Sequence, residues 1–418
     1  MTQASPTASM RAIDSPGMRK AGRELLSLAL MDARNHSLHL MSQYESALSG
    51  VNFLVPPWPG LTPPLWLLGH LGWFAEWWIA RNLQRQLGAQ GAADAPRLAS
   101  IEPLADAWWN PERVAPAERF SVVLPDLATI KSYLLATLET TLELLEKTPE
   151  SDDALYFFRL ALFHEDLRSE QLIVMAQILG LPLDLPQPSP MLVRAPLVVP
   201  ATRWLWGSPP REGFAFDNEQ PGQLVAVPEF EIDAQPVSWA QYVEFVDDGG
   251  YDDANLWHPQ GWQWLQDKAA FEGRRGPRFV DQIGVASGAV MQTRFGKPMR
   301  MQNNQPAMHV SWWEADAWCR WAGRRLPSEV EWELAASTLM GRGYRGGDVW
   351  EWSASSFKPH PGFQTGPWRA YSEPHFGTDK VLRGGSFATR ARLKHAKFRH
   401  FLTPERDDAF TGFRSCAL

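Results

Sequence analysis

His164, Arg168 and Gln171 fall within the run LALFHEDLRSEQLIVM, Leu160 to Met175. Spacings of i, i+4 and i+7 put side chains on one face of an α-helix, so this polar trio shares a face of an otherwise apolar segment. A second histidine, His70, lies in PPLWLLGHLGWFAEWWIARN, which is equally apolar and rich in Trp. Two imidazoles on two buried helices are the beginning of a metal site, because neutral imidazole is a ligand for first-row metals. Arg168 stands where a third ligand would complete it. A guanidinium has no lone pair to donate and stays protonated, so the set is one ligand short.

The elements that carry these residues are readable from periodicity. From Met18 to Leu48 apolar residues recur at helical spacing, and His36 and His39 lie on that helix as partly exposed or hydrogen-bonded residues. A second helix starts at Pro63–Pro64, with Pro in its first turn, and aligns Trp66, His70, Trp73 and Trp77 in one stripe. Residues 88–125 read as a long irregular connection. Asp126 caps a third helix carrying Ile130, Leu134, Leu138, Leu142 and Leu145, and a fourth runs from Asp153 to Leu179. Four amphipathic helices with one long crossover make a helix bundle, expected over residues 18–180 after a disordered arm at 1–17. A Pro-rich linker follows at 181–212, partly as extended strands. Residues 213–418 mix short strands, two short helices at Ser238–Asp247 and Ser311–Trp321, and Gly-, Trp- and Arg-rich loops, an α+β texture.

Composition narrows the function classes. A formal net charge of -7 gives no electrostatic reason for a nucleic acid or an anionic membrane as partner. Two cysteines, Cys319 and Cys416, exclude a disulfide framework and a multi-cysteine zinc site, and fit a reducing cytoplasm. Neither a secretory signal nor a run long enough for a transmembrane helix is expected. Trp is unusually frequent, at 21 residues, and bulky aromatics serve cores and ligand pockets alike.

The runs PVSWAQYVEFVDDGGY, HVSWWEADAWCRWAGRRLPSEVEWELAA, GDVWEWSASSF, VLRGGSFATR and FTGFRSC resemble the sulfatase-modifying-factor, or formylglycine-generating-enzyme-like, fold, an α+β domain of C-type-lectin-like architecture. The helical half resembles the DinB-like four-helix bundle through PPLWLLGHLGWFAEWWIARN and FHEDLRSEQL. In this order the two resemble ergothioneine-type sulfoxide synthases. RLASIEPLADAWW, DDALYFFRLALFHED and TPERDDAFTGFR are similar to the selenoneine synthase branch.

That resemblance implies a non-heme Fe(II), O2-dependent enzyme. It would join sulfur or selenium, from a thiol or selenosugar donor, to the imidazole of hercynine (trimethylhistidine). It also implies iron held by three histidines, one on the second helix and two in an HxxxH on the fourth. By carry-over His70 and His164 occupy ligand positions and Arg168 the third. At roughly 5 Å and an effective dielectric of about 20, even unit charges repel by about 3 kcal/mol, so Arg168 also opposes the ion. The substrate segment reads KFRHFLTPERDD, with His400 where relatives carry Asn and Phe401 as the following aromatic. Arg399, His400, Phe401 and Leu167, the last replacing a polar Gln, are therefore the expected substrate-binding residues. Trp66, Trp73, Trp350, Trp352 and Phe401 are candidate walls for a trimethylammonium group. Tyr344 and Tyr371 are available as acids.

Three readings follow. A third ligand comes from a carboxylate, a water or the substrate. Alternatively, the chain is a metal-free homologue that binds a small cationic metabolite or a partner protein. In the third, Arg168 swings away or pairs with Glu165 or Glu76. A sulfatase-maturation activity fits poorly, because formylglycine-generating enzymes use a cysteine pair and Cys319 and Cys416 lack paired spacing.

Overall fold

A computed structural model describes residues 12–284 and 289–418 of the chain. Its N-terminal half contains four long helices that pack on one another: α1 (Arg23–Leu48), α2 (Pro64–Ala75), α4 (Leu127–Glu146) and α5 (Asp152–Leu179). Asp126 caps α4 by accepting from the Thr129 N–H at 2.8 Å, and Ser151 caps α5 through Ala154 N–H at 3.3 Å. α2 is apolar all round and buried along nearly its whole length, so it forms the centre of the group. It continues as a π-helical turn, Glu76–Ala80.

The crossover expected to be irregular contains a five-residue helix, α3 (Ala105–Trp109). It is tied down by buried polar contacts. Glu76 accepts from Ser100 Oγ and Ile101 N–H, each at 2.7 Å, and from Tyr133 Oη at 2.6 Å. Arg81 holds Asp106 through two bonds of 2.7 and 2.8 Å. These contacts fix α3 against α2, and α3 bears on the site.

The arm expected to be disordered at 1–17 falls partly outside the described residues. Within them, Ile13 is buried and its carbonyl accepts from Arg392 at 3.1 Å. In the segment expected as linker, β1 (Leu197–Val199) pairs antiparallel with β4 (Phe230–Ile232), and β2 (Thr202–Trp206) with β3 (Gln223–Val227). From Leu197 onward the chain is thus built into the C-terminal sheets.

The rest of the C-terminal half holds a hairpin sheet, β5–β6–β7 (Val280–Gly284, Ala289–Arg294, Lys297–Met301). A four-stranded sheet has the order β10–β9–β8–β11 (His400–Leu402, Lys380–Arg383, Trp350–Ser356, Thr411–Phe413), in which β11 runs parallel to β8. The two expected helices are α6 (Trp239–Asp247) and α8 (Trp312–Trp321), each opened by a capping box from Ser238 or Ser311. Two further helices were not expected. α9 (Glu329–Thr338) has the same capping box at Ser328, while α7 (Pro259–Glu272) buries only Gly261 and Leu265 and so lacks a strong apolar stripe. Buried ion pairs lace this half together, among them Arg414–Glu351, with one bond at 2.8 Å, and Arg399–Glu329, also 2.8 Å.

Helix α5 joins the halves. Its side chains divide into three stripes, each at i, i+4 spacing. Glu165 and Ser169 face α1, where Glu165 pairs with Arg34 at 2.8 Å and Ser169 shares a hydrogen bond with Ser37 at 3.0 Å. Asp166, Glu170 and Gln177 face the C-terminal half. Asp166 takes two bonds of 2.7 Å from Arg392, and Glu170 accepts from Trp350, Ser386 and Thr389 at 2.7–2.8 Å. Gln177 accepts from Phe295 N–H at 2.8 Å. The third stripe is His164, Arg168 and Gln171. Two stripes lock α5 in rotation and thereby aim the third.

Candidate functional site

His70 and His164 meet edge to face, with ring centroids 5.2 Å apart. His70 lies between the faces of Trp66 and Trp73 at 4.8 and 5.5 Å, its neighbours at i−4 and i+3 on α2. Its Nδ1 is 2.9 Å from the Trp109 carbonyl. A carbonyl only accepts, so Nδ1 carries the proton and the lone pair is on Nε2. Trp109 reaches this position because residue 69 is Gly: a Cβ there would lie 2.1 Å from the indole.

His164 stacks on Phe74 at a centroid distance of 3.6 Å, and Trp368 stands edge-on to both rings, at 5.3 Å from His164 and 4.9 Å from Phe74. Trp368 comes from the C-terminal half, so the site is closed by both halves. Arg168 Nε donates to His164 Nε2 at 3.2 Å, and another Arg168 nitrogen donates to Gln171 Oε1 at 2.9 Å. Gln171 in turn donates to Thr62 Oγ1 at 3.3 Å.

Electrostatics keep both imidazoles neutral. Burial, then the Arg168 charge, lowers His70 to about 3, against a raising contribution from the Trp109 bond. Burial, Arg168 and His70 hold His164 well below the ordinary histidine range. Both rings therefore keep a lone pair at neutral pH, but that of His164 is already engaged by a guanidinium N–H.

Neither acid expected to neutralise Arg168 does so. Glu165 is paired with Arg34, and Glu76 is taken by Ser100, Ile101 and Tyr133. Among the described residues no group of three or more His, Cys, Asp or Glu is placed to hold a metal ion. Two imidazoles, one of them capped by a guanidinium, do not make the three-donor set that iron requires, and no carboxylate supplies the missing ligand.

The other expected site residues are dispersed. Arg399 is buried and directs its donors to Glu329, the Asn218 carbonyl and the Lys358 carbonyl at 3.0 Å, a structural network. His400 lies 4.7 Å from the Trp350 ring, with Nδ1 buried and unpartnered, and burial lowers its pKa to about 4. Phe401 stacks on Phe357 at 4.2 Å and reaches Tyr371 at 5.2 Å. Tyr371 stacks on Trp368 at 4.6 Å, so a run of aromatic rings connects Phe401 to His164. Leu167 packs at the margin of the core. Trp352 is core, its indole donating to the Val310 carbonyl at 2.8 Å. Tyr344 is packed under Arg414 at 3.8 Å, which leaves Tyr371 as the tyrosine beside the histidines. Both cysteines are buried free thiols.

Sequence reasoning missed Phe74, Trp109 and Trp368. Phe74 was detectable, lying four residues from His70 on the same helix. Trp109 ends the short helix α3 and Trp368 lies in a loop, neither with a periodic signal.

The chain matches the sulfatase-modifying factor enzyme 1-like domain over residues 184–348 and 345–417. It is 28% identical to the hercynine oxygenase of Mycolicibacterium smegmatis, over 94% of this chain and 98% of that protein. With the hercynine oxygenase of Mycobacterium tuberculosis it shares 30% identity over 85% of this chain and 91% of the relative. The formylglycine-generating enzyme of Streptomyces coelicolor is 27% identical but spans only 56% of this chain. No helix among the described residues is long and apolar enough to cross a membrane. With relatives that run through both halves and the domain match confined to the second, the chain belongs to the ergothioneine-type sulfoxide synthase family and is an enzyme of the oxidoreductase type.

Proposed function

We propose that this chain acts on hercynine, clasping it between the Trp66–His70–Trp73 wall of α2, the His164 stripe of α5 and the Trp368–Tyr371 segment of the C-terminal half. The observation that carries the reading is the meeting of the histidine pair with Trp368 of the C-terminal half, a cluster of aromatic rings and neutral imidazoles built from both halves. Such rings attract a quaternary ammonium group through their negative faces, and the neutral imidazoles add no charge to that of the Arg168 guanidinium, which favours the ligand's anionic end on the His164 side. The finer reading, O2-dependent joining of sulfur or selenium from a thiol or selenosugar to the hercynine ring, rests on family resemblance and needs a redox metal. The residues present offer two of the three imidazoles that iron would take there.

The hydrogen bond from Arg168 to His164 favours a second reading, in which the pocket binds its small cationic ligand without metal. Calorimetric titration of hercynine, with and without anaerobic Fe(II) loading, separates them. Near-unit iron with an O2-dependent sulfur or selenium adduct supports the synthase. Hercynine binding without iron supports the metal-free reading. Failure of both forms to bind hercynine sinks both readings.

A further inference from the structure

One stripe of α2 donates three hydrogen bonds to one short helix. Trp66, His70 and Trp73 lie at i, i+4 and i+7, and each reaches α3. Trp66 Nε1 donates to the Trp108 carbonyl at 2.7 Å, His70 Nδ1 to the Trp109 carbonyl at 2.9 Å, and Trp73 Nε1 to Asp106 Oδ1 at 2.7 Å. The last carbonyls of a helix have no partner within it, so the first two donors meet acceptors that α3 itself leaves open.

The middle bond decides which nitrogen of His70 is free. A neutral imidazole donates from one nitrogen and accepts at the other, and the hydrogen bond made by one sets the state of the other. In water a histidine prefers the proton on Nε2, so the Nδ1–H form is imposed here by the Trp109 carbonyl. That carbonyl stays in place only while α3 keeps its position. Asp106, three residues before Trp109 and so one turn back on α3, is the point at which α3 is held. Besides Trp73 it accepts two bonds from Arg81, at 2.7 and 2.8 Å, and Arg81 Nε donates in turn to the Leu98 carbonyl at 2.7 Å. A bidentate guanidinium–carboxylate pair fixes orientation as well as distance. Trp73 belongs to the same grip, since its ring stacks on His70 at 5.5 Å.

We propose that Asp106 and Arg81 are positioning residues for His70: through α3 they hold the Trp109 carbonyl on Nδ1 and so leave the lone pair on Nε2. The consequence for function rests on the reading of His70 as a wall of the hercynine site, but the tautomer itself is a property of the ligand-free protein.

The test is the long-range proton–nitrogen spectrum of the full chain labelled with 15N-histidine, without ligand, at neutral pH, with the His70 signals assigned by their loss in His70→Gln. Wild type is expected to show His70 in the Nδ1–H form alone. Asp106→Ala and Arg81→Met, each checked for native far-UV circular dichroism, are expected to add the Nε2–H form and to weaken hercynine binding at least tenfold. Ser328→Ala, which removes the cap of α9 far from α3, should lower stability without changing the spectrum. An unchanged tautomer in the two α3 variants overturns the proposal, as does the same change in Ser328→Ala, which would tie the tautomer to general stability. If Asp106→Ala and Arg81→Met fail to fold, Trp73→Phe decides, because it removes only the indole N–H from Asp106 and keeps a ring against His70; an unchanged tautomer there overturns the proposal as well. A tautomer change in a protein whose wild type does not bind hercynine sinks the hercynine reading alone, and hercynine binding with no tautomer change sinks the positioning role alone.

Discussion

The Nε of Arg168 and the Nε2 of His164 are 3.2 Å apart, donor to acceptor, so the guanidinium occupies the lone pair that a metal would need. His70, facing His164, keeps its own Nε2 lone pair because Nδ1 is fixed on the Trp109 carbonyl. Replacing Arg168 by His removes a fixed positive charge, releases the His164 lone pair and adds a third imidazole one helical turn away. We expect Arg168→His to bind Co(II) or Fe(II) at least tenfold more tightly than wild type, about 1.4 kcal/mol. Cobalt ligand-field absorbance under anaerobic titration checks it. Equal affinity in the two proteins would show that the pocket has diverged beyond this residue.

Gly69 is a packing requirement rather than a conformational one. A Cβ at this position would meet the Trp109 indole at 2.1 Å, and the Trp109 carbonyl orients His70. Gly69→Ala is expected to displace α3 and destabilise the fold by roughly 1–3 kcal/mol, the usual range for overpacking a filled core. It should weaken hercynine binding in parallel, because His70 loses its anchor. Denaturant unfolding with calorimetric titration of the same variant tests both; unchanged stability would mean that Trp109 shifts freely and is not the support of His70.

The helical half was largely legible because its long helices carry apolar residues at helical spacing, and α4 and α5 carry capping residues as well. His70, His164 and Arg168 could be paired from spacing and resemblance, since α5 presents its polar trio within eight residues. What makes the trio a site was not legible. Glu165 and Asp166 read as ordinary acids on a helix, but their partners Arg34 and Arg392 lie 131 and 226 residues away in sequence. Trp109, at the end of a five-residue helix, and Trp368, in a loop, were hidden because so short a helix and a loop carry no period. Arg399 was chosen by motif position, yet its burial against Glu329 is a tertiary fact that no local pattern records. Helix α7 carries little sequence signal because it buries little, and a weak apolar stripe resembles a loop.

His360 gives the stability a pH dependence of known sign. It is buried and its Nδ1 is 3.1 Å from the Pro221 carbonyl, while burial and then Arg399 lower its pKa to about 4. Below about pH 6.5 the unfolded chain takes up a proton that the folded chain refuses until about pH 4. This contribution is therefore present above pH 6.5 and is lost as the pH falls toward 4, at up to about 1.4 kcal/mol per pH unit. His360→Gln should flatten the stability curve by close to one proton in that window. Parallel curves for the variant and wild type would show that His360 is protonated equally in both states.

The Asp166–Arg392 pair ties the halves together through two bonds of 2.7 Å with both side chains buried. Arg392 has a second acid, Asp32, at 2.8 Å, whereas Asp166 relies on Arg392. Removing Asp166 leaves a buried guanidinium under-compensated, whereas removing both partners leaves no buried charge from the pair. We therefore expect Asp166→Leu alone to cost about 3–5 kcal/mol, and Asp166→Leu with Arg392→Met to recover a large part of it. Because Asp166 and Arg168 lie on different stripes of one helix, the single variant should also loosen the closure of Trp368 over His164. Denaturant unfolding measures the first effect, and Trp fluorescence quenching by acrylamide the second. An additive double variant would mean that α5 is oriented by Glu170 and Gln177 without this pair, and that the aim of the His164 stripe does not depend on it.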